Sequence, residues 1–268
     1  MSASARPLLA GKTGLVVGIA NDRSYAWHIA SALTAHGATC AFTHLPGEKN
    51  ERRTRKAVET IPGIGSDFLM IPLDAGSDEE MQAAADAYSQ RHGGVMDFLI
   101  HSIAFADREW LQFGKFHETP RAAYLSAIDI SAYTLLGLTR VCKPMLSERG
   151  GSVLAMSYYG AEKVVPGYNI MGVAKSALES TMRYLAAELG QFGIRVNTIS
   201  GGYLRTLASS AVGGVGTIEQ QNLERSPLRR NVEGDDVGGT AVYLVSELAK
   251  GVTGENIYVD CGVNTIGV

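Results

Sequence analysis

A chain of 268 residues with 46% hydrophobic and 19% charged side chains can bury a sizeable core, which excludes a disordered or fibrous polymer. The net charge of -3, with Lys and Arg scattered among the acids, offers no basic surface to track a phosphate backbone, so nucleic acid is not an expected partner. Residues 1–11 carry one Arg and no long apolar run, and no later stretch holds the roughly 20 unbroken apolar residues of a bilayer span, so neither a secretory leader nor a membrane segment is expected. The three cysteines, Cys40, Cys142 and Cys261, lie far apart, two of them inside apolar runs. They read as small core residues of a reducing, cytoplasmic compartment. The six histidines show no ligand spacing, and no metal site is expected.

Short apolar, β-branched runs alternate with longer segments of helical periodicity. In chain order the predicted strands are 13–18, 39–43, 67–73, 96–102, 151–157, 194–200 and 256–260. The predicted helices are 25–36, 78–92, 121–148, 168–191 and 235–248. This alternation predicts an α/β Rossmann fold, a doubly wound parallel sheet of about seven strands with helices on both faces, in a single domain spanning 1–268. The run Phe98-Leu99-Ile100 is apolar on both faces, as a buried parallel strand is.

The first strand ends at Gly18, and Ser24 opens an amphipathic helix through Ala26, Trp27, Ile29, Ala30 and Leu33. A helix N-terminus aimed at the carboxyl end of that strand suits a dinucleotide pyrophosphate, because unpaired N–H groups and the macrodipole both favour an anion. Ser24 can cap the helix or donate to phosphate. The usual Gly-x-Gly-x-x-Gly is missing; the segment reads Gly18-Ile19-Ala20-Asn21-Asp22-Arg23-Ser24-Tyr25-Ala26, which by itself fits an ordinary capped turn equally well.

The second strand ends Phe42-Thr43-His44-Leu45-Pro46, without the acid that commonly selects NAD. Glu48, Lys49, Arg52 and Arg53 follow, either as a solvated helix face or as partners for a 2′-phosphate, so NAD and NADP both stay open. Asp74, after the third strand, is either a loop or cap acid or an acceptor for an adenine amino group, with Ala75 backing the ring. After the fourth strand, His101-Ser102-Ile103-Ala104-Phe105-Ala106 supplies small residues that let a ribose approach the backbone.

Two Tyr/Lys pairs follow the fifth strand. Tyr159 and Lys163 have the Tyr-x3-Lys spacing of ordinary short-chain dehydrogenases, but their stretch leaves the strand directly and runs into Val164-Val165-Pro166-Gly167, which is loop chemistry. Tyr168 and Lys175 stand seven apart at the start of the next predicted helix. Seven residues at about 100° each come within ~20° of two full turns, so both side chains are expected on one face, with the phenol a turn farther away. That displacement suits reduction of a carbon–carbon double bond conjugated to a thioester. Hydride then goes to the β-carbon, and the acid must meet a more distant enolate oxygen.

Ser157-Tyr158 followed by Tyr168-x6-Lys175, with Gly18-x5-Ser24-x-Ala26, resembles the bacterial enoyl-acyl-carrier-protein reductases of the short-chain dehydrogenase superfamily. The resemblance covers nearly the whole chain, from Gly11 to Gly262. It implies an NADH-dependent enzyme, with NADPH as the alternative donor, that reduces a trans-2-enoyl group carried by acyl carrier protein in fatty-acid elongation. By the same resemblance Tyr168 donates to the enolate, Lys175 holds the nicotinamide ribose and lowers the phenol's pKa, and Tyr158 is a second active-site tyrosine. Cofactor contacts are implied at Gly18, Ser24, Tyr25, Leu45, Asp74, Ala75, Ser102, Ile103, Ala104, Lys175, Leu204, Thr206, Leu207 and Ala208, and a substrate contact at Ala106. Tyr203 stands where the family usually has proline, and Cys261 where glycine is common. The Ala-, Ser- and Gly-rich stretch at 204–224 is expected to form a substrate-binding lid, and a homotetramer is implied. Two other readings stay open: a carbonyl-reducing dehydrogenase using Tyr159 and Lys163, and a non-catalytic nucleotide sensor, to which the Tyr158, Tyr168 and Lys175 set would be of no use.

Overall fold

The computed structural model describes residues 7–204, 220 and 223–267. Seven parallel strands lie in the order β3-β2-β1-β4-β5-β6-β7, namely β1 Thr13–Val17, β2 Thr39–His44, β3 Met70–Pro72, β4 Phe98–His101, β5 Ser152–Ser157, β6 Arg195–Gly201 and β7 Asn256–Val259. Among the described residues seven helices accompany them: α1 Tyr25–Ala35, α2 Glu48–Val58, α3 Asp78–His92, α4 Arg121–Ile128, α5 Thr134–Ser147, α6 Ile170–Leu189 and α7 Gly234–Val245. The register is continuous through the centre, Leu15 facing Leu99 and Leu99 facing Val153.

Alternate residues of each central strand serve opposite cores. Leu15, Val17, Leu99 and Val153 pack with Met81, Tyr88, Leu135 and Leu178 of α3, α5 and α6. Val16, Phe42, Phe98 and Leu154 pack with Ile29, Leu33, Val237 and Ala241 of α1 and α7. Each fully buried side chain of this size contributes about 1.5–3 kcal/mol, which explains why the middles of these strands are apolar on both faces.

Local chemistry sets several ends. Ser77 caps α3 by accepting from the Glu80 amide at 3.2 Å, acids fill the first turn, and Gly93 ends the helix in the left-handed region at φ 65°. The edge strand β3 is shorter than predicted and ends at Pro72, which has no N–H to extend the ladder. α2 was not among the predicted helices, because only Thr54, Ala57 and Val58 of its charged sequence are buried and its apolar stripe is too thin to read.

The predicted helix 121–148 is α4 and α5 joined by a π turn, Asp129–Tyr133. Arg121–Ser147 is long and apolar enough to cross a membrane by length and composition, yet Leu135, Leu138, Cys142 and Leu146 are buried in the sheet core. The π turn buries Ser131, whose hydroxyl accepts from the Phe105 amide at 3.0 Å and ties the segment after β4 to the helix. Insertions of this kind are over-represented at functional sites.

Candidate active site

The carboxyl ends of β1, β4, β5 and β6 open into one cleft of about 940 Å³. It lies where strand order reverses between β1 and β4, the position at which open α/β sheets bind ligands. Gly18, Ser24, Tyr25, Leu45, Asp74, Ala75, Ser102, Ile103, Ala104, Ala106, Tyr158, Tyr168, Lys175 and Leu204 all line it. Thr206, Leu207 and Ala208, with most of the expected lid at 204–224, lie outside the described residues.

At one end the backbone turns tightly into the capped start of α1. Gly18 has φ 105°, and a Cβ there would stand 2.2 Å from the Ser102 carbonyl oxygen, so only glycine lets β1 run this close to the segment after β4. Ser24 caps α1, accepting from the Trp27 amide at 3.4 Å and donating to the Asn21 carbonyl at 2.8 Å. Asp74 is exposed, and its carboxylate accepts from the Gly76 amide at 2.9 Å. The end of β2 presents His44 and Leu45 to the cleft, and exposed Arg53 of α2 lines it without an ion pair among the described residues.

The far end is apolar and aromatic. Ala106, Leu111, Tyr168 and Met171 belong to one small cluster beneath it. The Tyr158 and Tyr168 rings meet edge to face, 4.8 Å between centroids. Gly160 makes that contact possible, since a Cβ there would come within 2.4 Å of the Tyr168 ring. Tyr25 donates its hydroxyl to the Gly202 carbonyl at 2.6 Å, linking the first turn of α1 to the exit of β6. Tyr203, at the usual proline position, is buried and faces the same cleft.

Tyr168 is not on the helix. It sits in a turn two residues before α6, so the seven-residue helical face does not describe how it is aimed. Asn169, at φ 44° and ψ -118°, turns the chain between them, in a region that Asn enters more readily than most residues. Its amide donates to the carbonyls of Trp110 and Gln112 at 2.8 and 2.7 Å, pinning the turn that carries Leu111 beside Tyr168. Sequence reasoning missed Asn169, because nothing in its neighbours announces a positive φ.

Lys175 is 5% exposed and donates to the Met156 carbonyl at 2.7 Å. That is its one hydrogen bond among the described residues, leaving two ammonium protons for a ligand. Burial holds its pKa down at about 8, with the charge of Glu179 opposing. Burial pushes the Tyr168 phenol well above its ordinary value, and Tyr158 adds to this. Desolvation of the ring is the largest cause of that rise. Burial likewise pushes Tyr158 up to about 12. Both phenols are therefore protonated donors at neutral pH. The Tyr159 hydroxyl instead donates to the Asn264 carbonyl at 3.5 Å, and Lys163 is exposed; neither lines the cleft.

Comparison with known proteins follows this geometry. The profile of the family described as enoyl-(acyl carrier protein) reductase matches residues 18–264. A Bacillus cereus protein named enoyl-[acyl-carrier-protein] reductase [NADH] is 46% identical over 260 residues, spanning 97% of this chain and 99% of its own length. The crystal structure of the Bacillus cereus enoyl-acyl carrier protein reductase with NADP+ and indole naphthyridinone superimposes with a TM-score of 0.92 at 45% identity, covering 97% of this chain and 99% of that one. The Anaplasma phagocytophilum reductase in complex with NAD gives a TM-score of 0.91 at 42% identity, with 97% of each chain covered.

Proposed function

This chain belongs to the enoyl-acyl-carrier-protein reductase family, and on that premise we propose that it reduces a trans-2-enoyl thioester carried by acyl carrier protein to the saturated acyl thioester, with NADH as donor. The observation that carries the reading is the half-buried Tyr158–Tyr168 pair, 4.8 Å between ring centroids, in one cleft with Lys175. The rival pair, Tyr159 and Lys163, is excluded from that cleft, which disfavours a carbonyl reductase.

The residues fit a dinucleotide: the Gly18 cradle that a Cβ would fill, the capped start of α1 at Ser24, and the under-used ammonium of Lys175. Ser24 and the α1 amides would hold the pyrophosphate, Asp74 and Ala75 the adenine, and Lys175 the nicotinamide ribose. When bound, NADH supplies the hydride that the enoyl β-carbon takes up. Negative charge then develops on the thioester oxygen, and the neutral Tyr168 phenol, kept protonated by burial, donates to it. Tyr158 packs against the Tyr168 ring and limits its rotation. Ala106, Leu111 and Met171 exclude water around the acyl chain.

Arg53 at the adenosine end, with no carboxylate at the end of β2, keeps NADPH as the alternative donor. A homotetramer also belongs to this reading. Tyr124, Leu125, Tyr133, Leu136 and Tyr184 stand exposed on the α4–α5 and α6 surfaces, and light scattering checks the assembly. The function is tested by following oxidation of NADH and of NADPH with crotonyl and acetoacetyl thioesters. Turnover of the enoyl substrate is expected; turnover of the oxo substrate alone would replace the reading with a carbonyl reductase.

A further inference from the structure

Beneath the cleft lies a buried polar group to which the proposed reaction assigns no role. Glu179, 5% exposed, sits on α6 one turn after Lys175. The two residues grip successive positions at the end of β5: the Lys175 ammonium donates to the Met156 carbonyl at 2.7 Å, and the Ser157 hydroxyl donates to the Glu179 carboxylate at 2.5 Å. The next residue along the strand is Tyr158. From β7 the Asn256 amide donates to the same carboxylate oxygen at 3.2 Å, while its own oxygen accepts from Thr198 of β6 at 2.9 Å. One carboxylate thus joins α6 to three strands immediately behind the site.

A carboxylate is costly to bury, and a core serine and asparagine could pair without one. Its charge acts on the neighbouring ammonium one turn back along α6, as well as on Arg183 of the same helix. The other groups around Lys175 supply no negative charge at neutral pH. His101 faces it from β4 but is pushed down to about 3, first by burial and then by the lysine itself, so it stays neutral. Tyr158 and Tyr168 are held protonated. Around Glu179 stand Glu162 from the turn after β5, Arg183 on α6 and Tyr258 of β7, whose hydroxyl bonds to Glu162. Burial first, with Glu162, holds the Glu179 carboxyl above its ordinary value, although the Ser157 hydroxyl, Arg183 and Lys175 pull it down.

We propose that Glu179 is a positioning residue for the cofactor site, the counter-charge that keeps the buried Lys175 ammonium protonated and fixes the strand end that carries Tyr158. The inference rests on the assignment of Lys175 to the nicotinamide ribose. Loss of the Lys175 proton removes donors to that ribose, so dinucleotide affinity falls as pH rises through the lysine's pKa of about 8. Removing the Glu179 charge brings that fall to lower pH.

The test is NADH affinity from cofactor fluorescence across about pH 6.5 to 9.5, a range that brackets the lowered lysine but stops short of its ordinary value. Glu179→Gln keeps the acceptor for Ser157 and Asn256 and is expected to move the alkaline limb down by about one pH unit, roughly fivefold weaker binding at the wild-type midpoint. Glu179→Asp is expected to restore most of it. Ser157→Ala, which removes only a hydroxyl that stabilises the carboxylate, is expected to move the limb the same way by less, and it serves if the Gln variant does not fold. Thermal melts establish folding. An alkaline limb that Lys175→Met abolishes but that stays at its wild-type pH in Glu179→Gln and Ser157→Ala would overturn the inference while sparing the Lys175 assignment. A limb unchanged in Lys175→Met would overturn both.

Discussion

Two Tyr/Lys pairs lie within seventeen residues of each other, and the fold treats them oppositely. Tyr159 and Lys163 leave β5 on a short turn whose hydroxyl contacts the chain near Asn264 and whose lysine faces solvent. Tyr168 and Lys175 turn inward, one before α6 and one in its first two turns, and both are desolvated in the cleft. The difference teaches that the spacing of a motif matters less than which side of the turn faces the sheet's carboxyl edge. The outer pair is not idle, because the turn that carries it also supplies Gly160, on which the Tyr168 ring rests.

The largest expected effect separates the pairs directly. Tyr168→Phe removes the donor proposed for the substrate oxygen and is expected to lower turnover of an enoyl thioester on the order of 10²- to 10³-fold, with cofactor affinity unchanged. Near-normal turnover in this variant would break the comparison. Gly160→Ala sharpens it, since the added methyl meets the Tyr168 ring at 2.4 Å and must displace it. Steady-state assays are expected to show a loss of about ten- to a hundredfold in turnover from misplacement alone, with dinucleotide binding retained.

Lys175→Ala is expected to act on binding rather than on the acid, weakening NADH by about tenfold or more through loss of charge-assisted hydrogen bonds. Equal affinity in Lys175→Ala and Tyr168→Phe, measured by fluorescence titration, would remove the division of roles. The smallest effects belong to the outer pair. Tyr159→Phe gives up one long hydrogen bond, costing at most about 1 kcal/mol in thermal or denaturant unfolding, and Lys163→Met is expected to stay within about 0.5 kcal/mol. Neither is expected to change turnover.

Much of the cleft was legible because its parts are local. A strand ending at Gly18, a capping Ser24, an acid at Asp74 and small residues at 102–106 each carry their own chemistry, and the parallel sheet brings every strand's carboxyl end to one edge. The aim of Tyr168 was read from a helix that begins two residues later, since helix start signals do not reveal a turn such as the one at Asn169. Nothing in the helical pattern singles out Glu179. Its partners come from β5 and β7, 22 and 77 residues away, and no window on the sequence brings them together.

The amino-acid sequence by itself determined the layered α/β architecture and the residues that meet at the carboxyl edge of the sheet, because periodicity and turn chemistry act over a few residues. Only the tertiary structure decided which tyrosine is buried against which, that Lys175 loses its water and Tyr168 its easy ionisation, and that a distant carboxylate offsets the lysine's charge. Those outcomes depend on desolvation and on contacts between strands far apart in the chain, which exist only once the sheet has assembled.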